Sequence, residues 1–133
     1  VSDAASASRL TTPEIQVELP FVNYPSDVFL GHVMATKILP ALGAGVMAIS
    51  RAETSLTFAA LEMAAGGVAV AWVPASIALP HIEARRIVDL SDHLPSCALV
   101  IRAVRLASKP GPAEAALWSQ LALLNQTGVD AVS

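Results

Sequence analysis

Three short polar sequences could bind a small polar ligand, because each follows an apolar run and precedes an amphipathic one. They are Ser26-Asp27, residues 50–53 (Ser-Arg-Ala-Glu) and residues 74–76 (Pro-Ala-Ser). The first combines an N-cap serine with a first-turn carboxylate, and the second has the spacing of a capping box. Helix N-termini present free backbone amides to anions and polar groups. Since every α/β fold has such helix ends, this pattern alone names no ligand.

The sequence shows no arrangement typical of a catalytic, metal or cofactor site. A serine hydrolase needs Gly-x-Ser-x-Gly at a strand-to-helix turn, and the chain lacks it. His32, His81 and His93 do not have metal-ligand spacing, so surface or loop positions are expected. Residues 43–48 match a loose dinucleotide fingerprint, but they precede a strand instead of following one. Cys97, the single cysteine, is interpreted as a small buried residue. We therefore expect no enzymatic activity, no metal and no cofactor.

The elements that would position these polar sequences alternate between strand length and helix length. Strands are predicted at 19–24, 46–49, 68–73, 87–90 and 97–105, and helices at 26–39, 50–65, 74–82 and 112–126. The predicted buried positions are Leu30, Val33, Met34 and Ile38 on the first helix, and Leu56, Ala59, Ala60, Met63 and Ala64 on the second. The predicted class is α/β, with a parallel or mixed sheet and helices on both faces. In open sheets of this kind, ligands bind at the carboxyl ends of the strands.

Composition and charge argue against several classes of protein. The 133 residues are 54% hydrophobic, which excludes a disordered chain, and the net charge of −3 makes a nucleic-acid-binding surface unexpected. The uncharged run 63–80 is as long as a transmembrane helix, about 17–25 residues, but Gly66-Gly67 and Pro74 interrupt it. We therefore predict a buried strand there. Because the chain begins with Val1 and no signal-peptide pattern follows, we expect a fragment or a processed chain.

Four segments, taken in order, form a more specific pattern. The first is residues 21–25 (Phe-Val-Asn-Tyr-Pro), an apolar strand that ends in Tyr-Pro. The second, residues 53–76, runs from a helix through two glycines into an apolar strand that ends in Pro. Residues 82–90 and the closing strand and helix follow at matching spacing. Over residues 19–124, this order resembles the effector-binding domain of LysR-type transcriptional regulators. Asn23-Tyr24 and residues 71–74 are similar to the branch that includes hypochlorite-responsive regulators.

The resemblance implies a periplasmic-binding-protein-like fold of two Rossmann-type subdomains. Residues 1–95 would form the second effector subdomain, and residues 96–133 would supply the crossover strand and C-terminal helix of the first. The regulator would bind DNA only through an N-terminal winged helix-turn-helix domain that this chain lacks. The resemblance also implies a cytoplasmic homo-oligomer, a dimer or tetramer, that contacts no membrane. Two local departures from the family pattern are Ala69, in place of the second glycine of Gly-x-Gly, and Ala84-Arg85, in place of a Ser/Ala-Gly turn.

In that family the effector lies in the cleft between the subdomains, near helix N-termini of the second. Carried over position by position, the effector-binding residues are expected to be Tyr24, Ser26, Val28, Phe29 and Leu30. Ser50 and Glu53 form a second set, because the capping box already accounts for both. The expected ligand is a small-molecule effector or an oxidant. Two alternatives stay open, namely a lobe of a periplasmic-type solute-binding protein and an enzyme fragment whose catalytic residues lie in another part of the protein.

Overall fold

The computed structural model describes residues 17–126, which divide into two compact units between Cys97 and Ala98. The elements of the first unit are β1 (Val17–Asn23), α1 (Phe29–Val33), β2 (Val46–Glu53), α2 (Thr57–Ala65) and α3 (Ala75–Glu83). The second unit contains α4 (Pro112–Gln126). The chain is therefore α/β, as the sequence predicts. The assignment of residues 1–95 and 96–133 to two effector subdomains stays a prediction.

The sheet of the first unit consists of two parallel strands, β1 and β2, whose register shifts once, between Phe21 and Val22. Val70 forms a single parallel bridge to the other edge of β1. Its amide donates to the Pro20 carbonyl at 2.9 Å, and its carbonyl accepts from the Val22 amide at 2.8 Å. The predicted strand 68–73 is thus reduced to one bridge, but it lies beside β1 as a third parallel neighbour.

The segment after β1 is helical in three successive geometries. α1 continues directly into a π-helical turn, Met34–Ile38, and then into a 3-10 turn, Leu39–Ala41. The predicted apolar face is confirmed, since its members are buried or half-buried against one core: Leu30, Val33, Met34 and Ile38. The predicted start of the helix is wrong. Ser26 lies in a turn, and the N-cap is Val28, which makes no side-chain capping bond.

The predicted capping box at residues 50–53 is also wrong, because β2 continues through Glu53. Parallel pairing with β1 satisfies the backbone of these residues, and the Thr54 amide still donates to the Asn23 carbonyl at 3.0 Å. α2 begins only at Thr57. Leu56 precedes the helix and is 66% exposed, so its predicted burial is wrong, whereas Ala60 and Ala64 are buried as expected.

β1 is the centre of the first unit, because apolar side chains from both flanking helical segments pack against it. The largest buried cluster consists of Phe21, Val22, Tyr24, Val33, Met34, Ile38, Ala60, Ala64, Ala69 and Ala71. A second cluster surrounds Leu19 and Val70, and Trp72 packs against both clusters. Leu61 packs in a third cluster with Ala78 and Ile87.

The second unit contains one helix and no strand among its described residues. The predicted strand 97–105 is wrong, since these residues have no regular secondary structure and residues 98–106 are exposed. A strand needs a paired neighbour, and no described residue pairs with this segment. The predicted strand 87–90 is likewise reduced to a bridge at Val88. α4 confirms the predicted last helix, and the Arg105 guanidinium lies 5.5 Å from the ring centroid of Trp118.

None of the helices within residues 17–126 has both the length and the apolar character that a membrane crossing requires. The run 63–80, which is long enough to span a bilayer by residue count alone, is divided between the end of α2, a two-residue turn, an extended segment and the start of α3.

The backbone conformation of Arg85, just after α3, can be tested by substitution. Arg85 has φ of 56°, a left-handed conformation that strains L-residues and suits glycine. We expect Arg85→Gly to raise the free energy of unfolding by about 0.5–1 kcal/mol, measured by urea denaturation. The matched control is Ala84→Gly, whose φ of −75° gains nothing from glycine and which should destabilise the chain. Equal effects of the two substitutions would contradict the assignment of strain.

Candidate functional site

The five residues of the first predicted set lie in the connection from β1 to α1 or in the first two residues of α1, a stretch called the β1–α1 connection below. Their side chains divide into two groups. Tyr24 is buried, and Val28 and Leu30 are half-buried against the largest core cluster. Ser26 is exposed in the turn, and Phe29, the first residue of α1, is 65% exposed. The connection therefore presents a hydroxyl group and an aromatic ring to solvent from a well-anchored base.

The position of this connection is fixed by a close approach at Gly31. A Cβ atom at this position would collide with the carbonyl oxygen of Pro25 and would lie 2.9 Å from the carbonyl oxygen of Tyr24. Only glycine allows α1 to approach the turn so closely. The Val28 amide also donates to the Pro25 carbonyl at 3.2 Å, which closes the turn ahead of the helix. Ser26 and Phe29 are consequently held on a rigid backbone.

The side chain of Tyr24 holds the start of the β1–α1 connection in place. Its hydroxyl donates a hydrogen bond to the Trp72 carbonyl at 2.9 Å, and the ring is buried in the largest cluster. Burial disfavours the phenolate and raises the pKa of Tyr24 from 10.0 to about 12. The hydroxyl is thus a neutral donor whose hydrogen bond is made within the protein. Tyr24 would therefore affect ligand binding by positioning the β1–α1 connection.

The second predicted set, on β2, is only partly brought to the same place. Glu53 ends β2 opposite Asn23, and its carboxylate accepts a hydrogen bond from the Asn23 side-chain amide at 2.9 Å. Because Asn23 precedes Tyr24, Glu53 lies near the start of the loop. Ser50 pairs with Phe21, further back along the sheet, and its side chain is exposed. The structure therefore groups Glu53, but not Ser50, with the end of β1.

A shallow apolar groove of about 510 Å³ lies where α2 and α3 begin. Its lining residues are Ser55, Leu56, Thr57, Phe58, Ala59, Pro74 and Ile77. Of these residues, Pro74 is predicted correctly as the start of a helix, whereas Leu56 is predicted to be buried and the sequence pattern assigns no role to Phe58. The residues of the groove could have been found from the N-cap of α2, which is Leu56. The capping-box pattern at residues 50–53 instead predicts a helix that begins earlier.

Exposed groups near the ends of β1 and β2 could contact a ligand. Within residues 17–126, no three His, Cys, Asp or Glu side chains are grouped closely enough to hold a metal ion. In the same part of the chain, every buried side-chain nitrogen or oxygen has a hydrogen-bond partner. What remains for a ligand is the exposed hydroxyl and ring of the β1–α1 connection, the carboxylate at the end of β2 and the apolar groove.

Comparisons with known proteins add no identification. No protein-family model matches the chain, and neither the curated proteins nor the solved structures contain a significant match. The family resemblance therefore rests on the order of the sequence segments, and the arrangement of the site is known only from the structure described above.

Gly31 allows a direct test of how the loop is positioned. We expect Gly31→Ala to lower the free energy of unfolding by about 1–3 kcal/mol, because the added methyl group meets backbone atoms that cannot move aside cheaply. Gly43→Ala is the control, since a Cβ there would meet nothing within 4 Å. Chemical denaturation of both variants measures the difference. A Gly31→Ala variant as stable as Gly43→Ala would contradict the close approach.

Tyr24 allows a spectroscopic test, because it is the single tyrosine of the chain. The absorbance of its phenolate should appear with a midpoint near 12 in the folded chain and near 10.0 in urea. Since the folded pKa is the higher one, the corresponding stability is complete below pH 10 and is lost as the pH rises through 12. Tyr24→Phe should abolish this alkaline loss. A folded-state midpoint near that of the urea-unfolded chain would show that the ring is not buried.

Proposed function

We propose that the chain is the effector-binding portion of a LysR-type bacterial transcriptional regulator. The observation that carries the proposal is the order of three parallel neighbours, β2, β1 and the Val70 segment. The chain adds β2 on one side of β1 and then the Val70 segment on the other side. Open α/β sheets bind ligands at the carboxyl ends of the strands, next to the point where successive strands are added on opposite sides. The first set of residues that the family resemblance selects follows the carboxyl end of β1 directly: Tyr24, Ser26, Val28, Phe29 and Leu30.

The surface chemistry of the loop supports a small effector with both polar and apolar parts. The exposed ring of Phe29 offers stacking or apolar contact, and the Ser26 hydroxyl offers a hydrogen bond. Half-buried Val28 and Leu30 would form the floor between them. A cleft closed by the first effector subdomain would supply the remaining contacts, so the affinity of this portion alone would be low.

The proposed mechanism is a shift of population between two arrangements of the regulator. An effector or an oxidant that bridges the two effector subdomains would favour one relative orientation of them. In a cytoplasmic dimer or tetramer, that change would alter the spacing of the winged helix-turn-helix domains and hence their binding to DNA. The chain itself would contact neither DNA nor a membrane, and it would need no cofactor.

The test is a substitution of Phe29 in the whole regulator. A panel of small carboxylic acids is first screened for compounds that raise the melting temperature, as ligands of the folded state do. Phe29→Asp should abolish the shift while leaving the far-ultraviolet circular dichroism unchanged, because the ring is 65% exposed. Leu79→Asp, at an exposed apolar residue of α3, is the matched control and should retain the shift.

A third variant separates the loop from the groove. Phe58 has the same residue type and the same 65% exposure as Phe29, but it lines the groove. If the effector binds at the β1–α1 connection, Phe58→Asp should retain the shift that Phe29→Asp loses. The opposite result, in which only Phe58→Asp loses the shift, would overturn the assignment of the loop.

A further inference from the structure

Trp72 is the residue through which three separate parts of the first unit are joined. Its ring meets the ring of Phe21 of β1 edge to face, with centroids 6.3 Å apart at an angle of 79°. Its indole Nε1–H donates a hydrogen bond to the Pro95 carbonyl at 2.8 Å. Its own carbonyl accepts the hydrogen bond from the Tyr24 hydroxyl. A single half-buried residue therefore contacts β1, the start of the candidate loop and the end of the first unit.

The Pro95 end of this chain of contacts lies at a structural boundary. The first unit ends at Cys97, two residues after Pro95, and Cys97 packs half-buried against the largest core cluster. The backbone from residue 95 to residue 97 has no regular secondary structure. A hydrogen bond to a part-buried indole is thus a specific restraint on the point at which the chain leaves the first unit.

The Tyr24 end lies at the candidate site. Tyr24 begins the connection from β1 to α1, and its buried hydroxyl donates to the Trp72 carbonyl. Any ligand that displaces the connection must move Tyr24 or strain its bond to Trp72. Because the Tyr24 hydroxyl binds the backbone carbonyl of Trp72, this displacement also moves the indole side chain of the same residue.

We infer that Trp72 is a positioning residue that couples the β1–α1 connection to residues 95–97. The hydrogen bonds from Tyr24 to Trp72 and from Trp72 to Pro95 act in series. The inference rests on the proposed function only in treating the connection as an effector site. Under that function, Trp72 carries the effector signal to the segment that leads out of the first unit.

Cys97 supplies a reporter, because it is the single cysteine of the chain and lies two residues beyond Pro95. The rate of its reaction with dithiodipyridine measures how often residues 95–97 open. Trp72→Phe keeps an aromatic ring beside Phe21 but removes the N–H donor, and Tyr24→Phe removes only the hydroxyl. Each should speed the reaction about five-fold, the factor expected for one lost hydrogen bond.

The double variant tests the coupling itself. If the two bonds act in series, Tyr24→Phe should add little once Trp72→Phe is present, so the combined effect should fall well below the product of the two. Leu61→Val is the control for general destabilisation, because Leu61 packs in a different cluster and should leave the rate unchanged. Any one of three results would overturn the inference. They are a rate increase in the double variant equal to the product of the two single increases, an unchanged rate for Trp72→Phe, and a rate increase for Leu61→Val equal to that for Trp72→Phe.

These outcomes are independent of the proposed function. The thiol reaction requires no effector, so a coupled pair would stand even if Phe29→Asp left the effector response intact. Conversely, an uncoupled pair would remove the role of Trp72 while leaving the effector site as proposed.

Discussion

The burial of β1 between two parallel neighbours is the constraint on which the first unit depends. β2 pairs along one edge and Val70 bridges the other, while Val22 is fully buried and Leu19 almost so. Apolar burial contributes most of the folding free energy of such a unit, and the paired backbone avoids the cost of unsatisfied buried groups. With β1 fixed, the ends of β1 and β2 and the residues after Val70 are brought to one edge of the sheet.

The candidate site is a consequence of this arrangement. The turn after β1 must reverse within a few residues, and Gly31 permits α1 to pack directly on it. Tyr24 and Trp72 then tie the turn to the segment after Val70 and to the end of the unit. The result is an anchored turn from which a few groups, among them the Ser26 hydroxyl and the Phe29 ring, are exposed.

The sequence predicts the elements more successfully than their ends. Apolar patterning correctly places β1 and the buried face of the first helix, because burial dominates those choices, and it also places α3 and α4. It fails at residues 50–53, where a capping pattern and strand pairing compete and the ladder with β1 prevails. It also fails at 97–105, since an apolar run becomes a strand only beside a partner strand. The Trp72 contacts join residues 23 and 48 positions apart, so no local pattern could reveal them. The Gly31 approach is local, but it depends on how α1 packs back on the turn, which residue types alone do not specify.

The proposed function is tested most directly by the coding sequence upstream of Val1. We expect a winged helix-turn-helix pattern at its start, followed by the first effector subdomain. A signal peptide followed directly by a first lobe would contradict it and would assign the chain to a solute-binding protein instead.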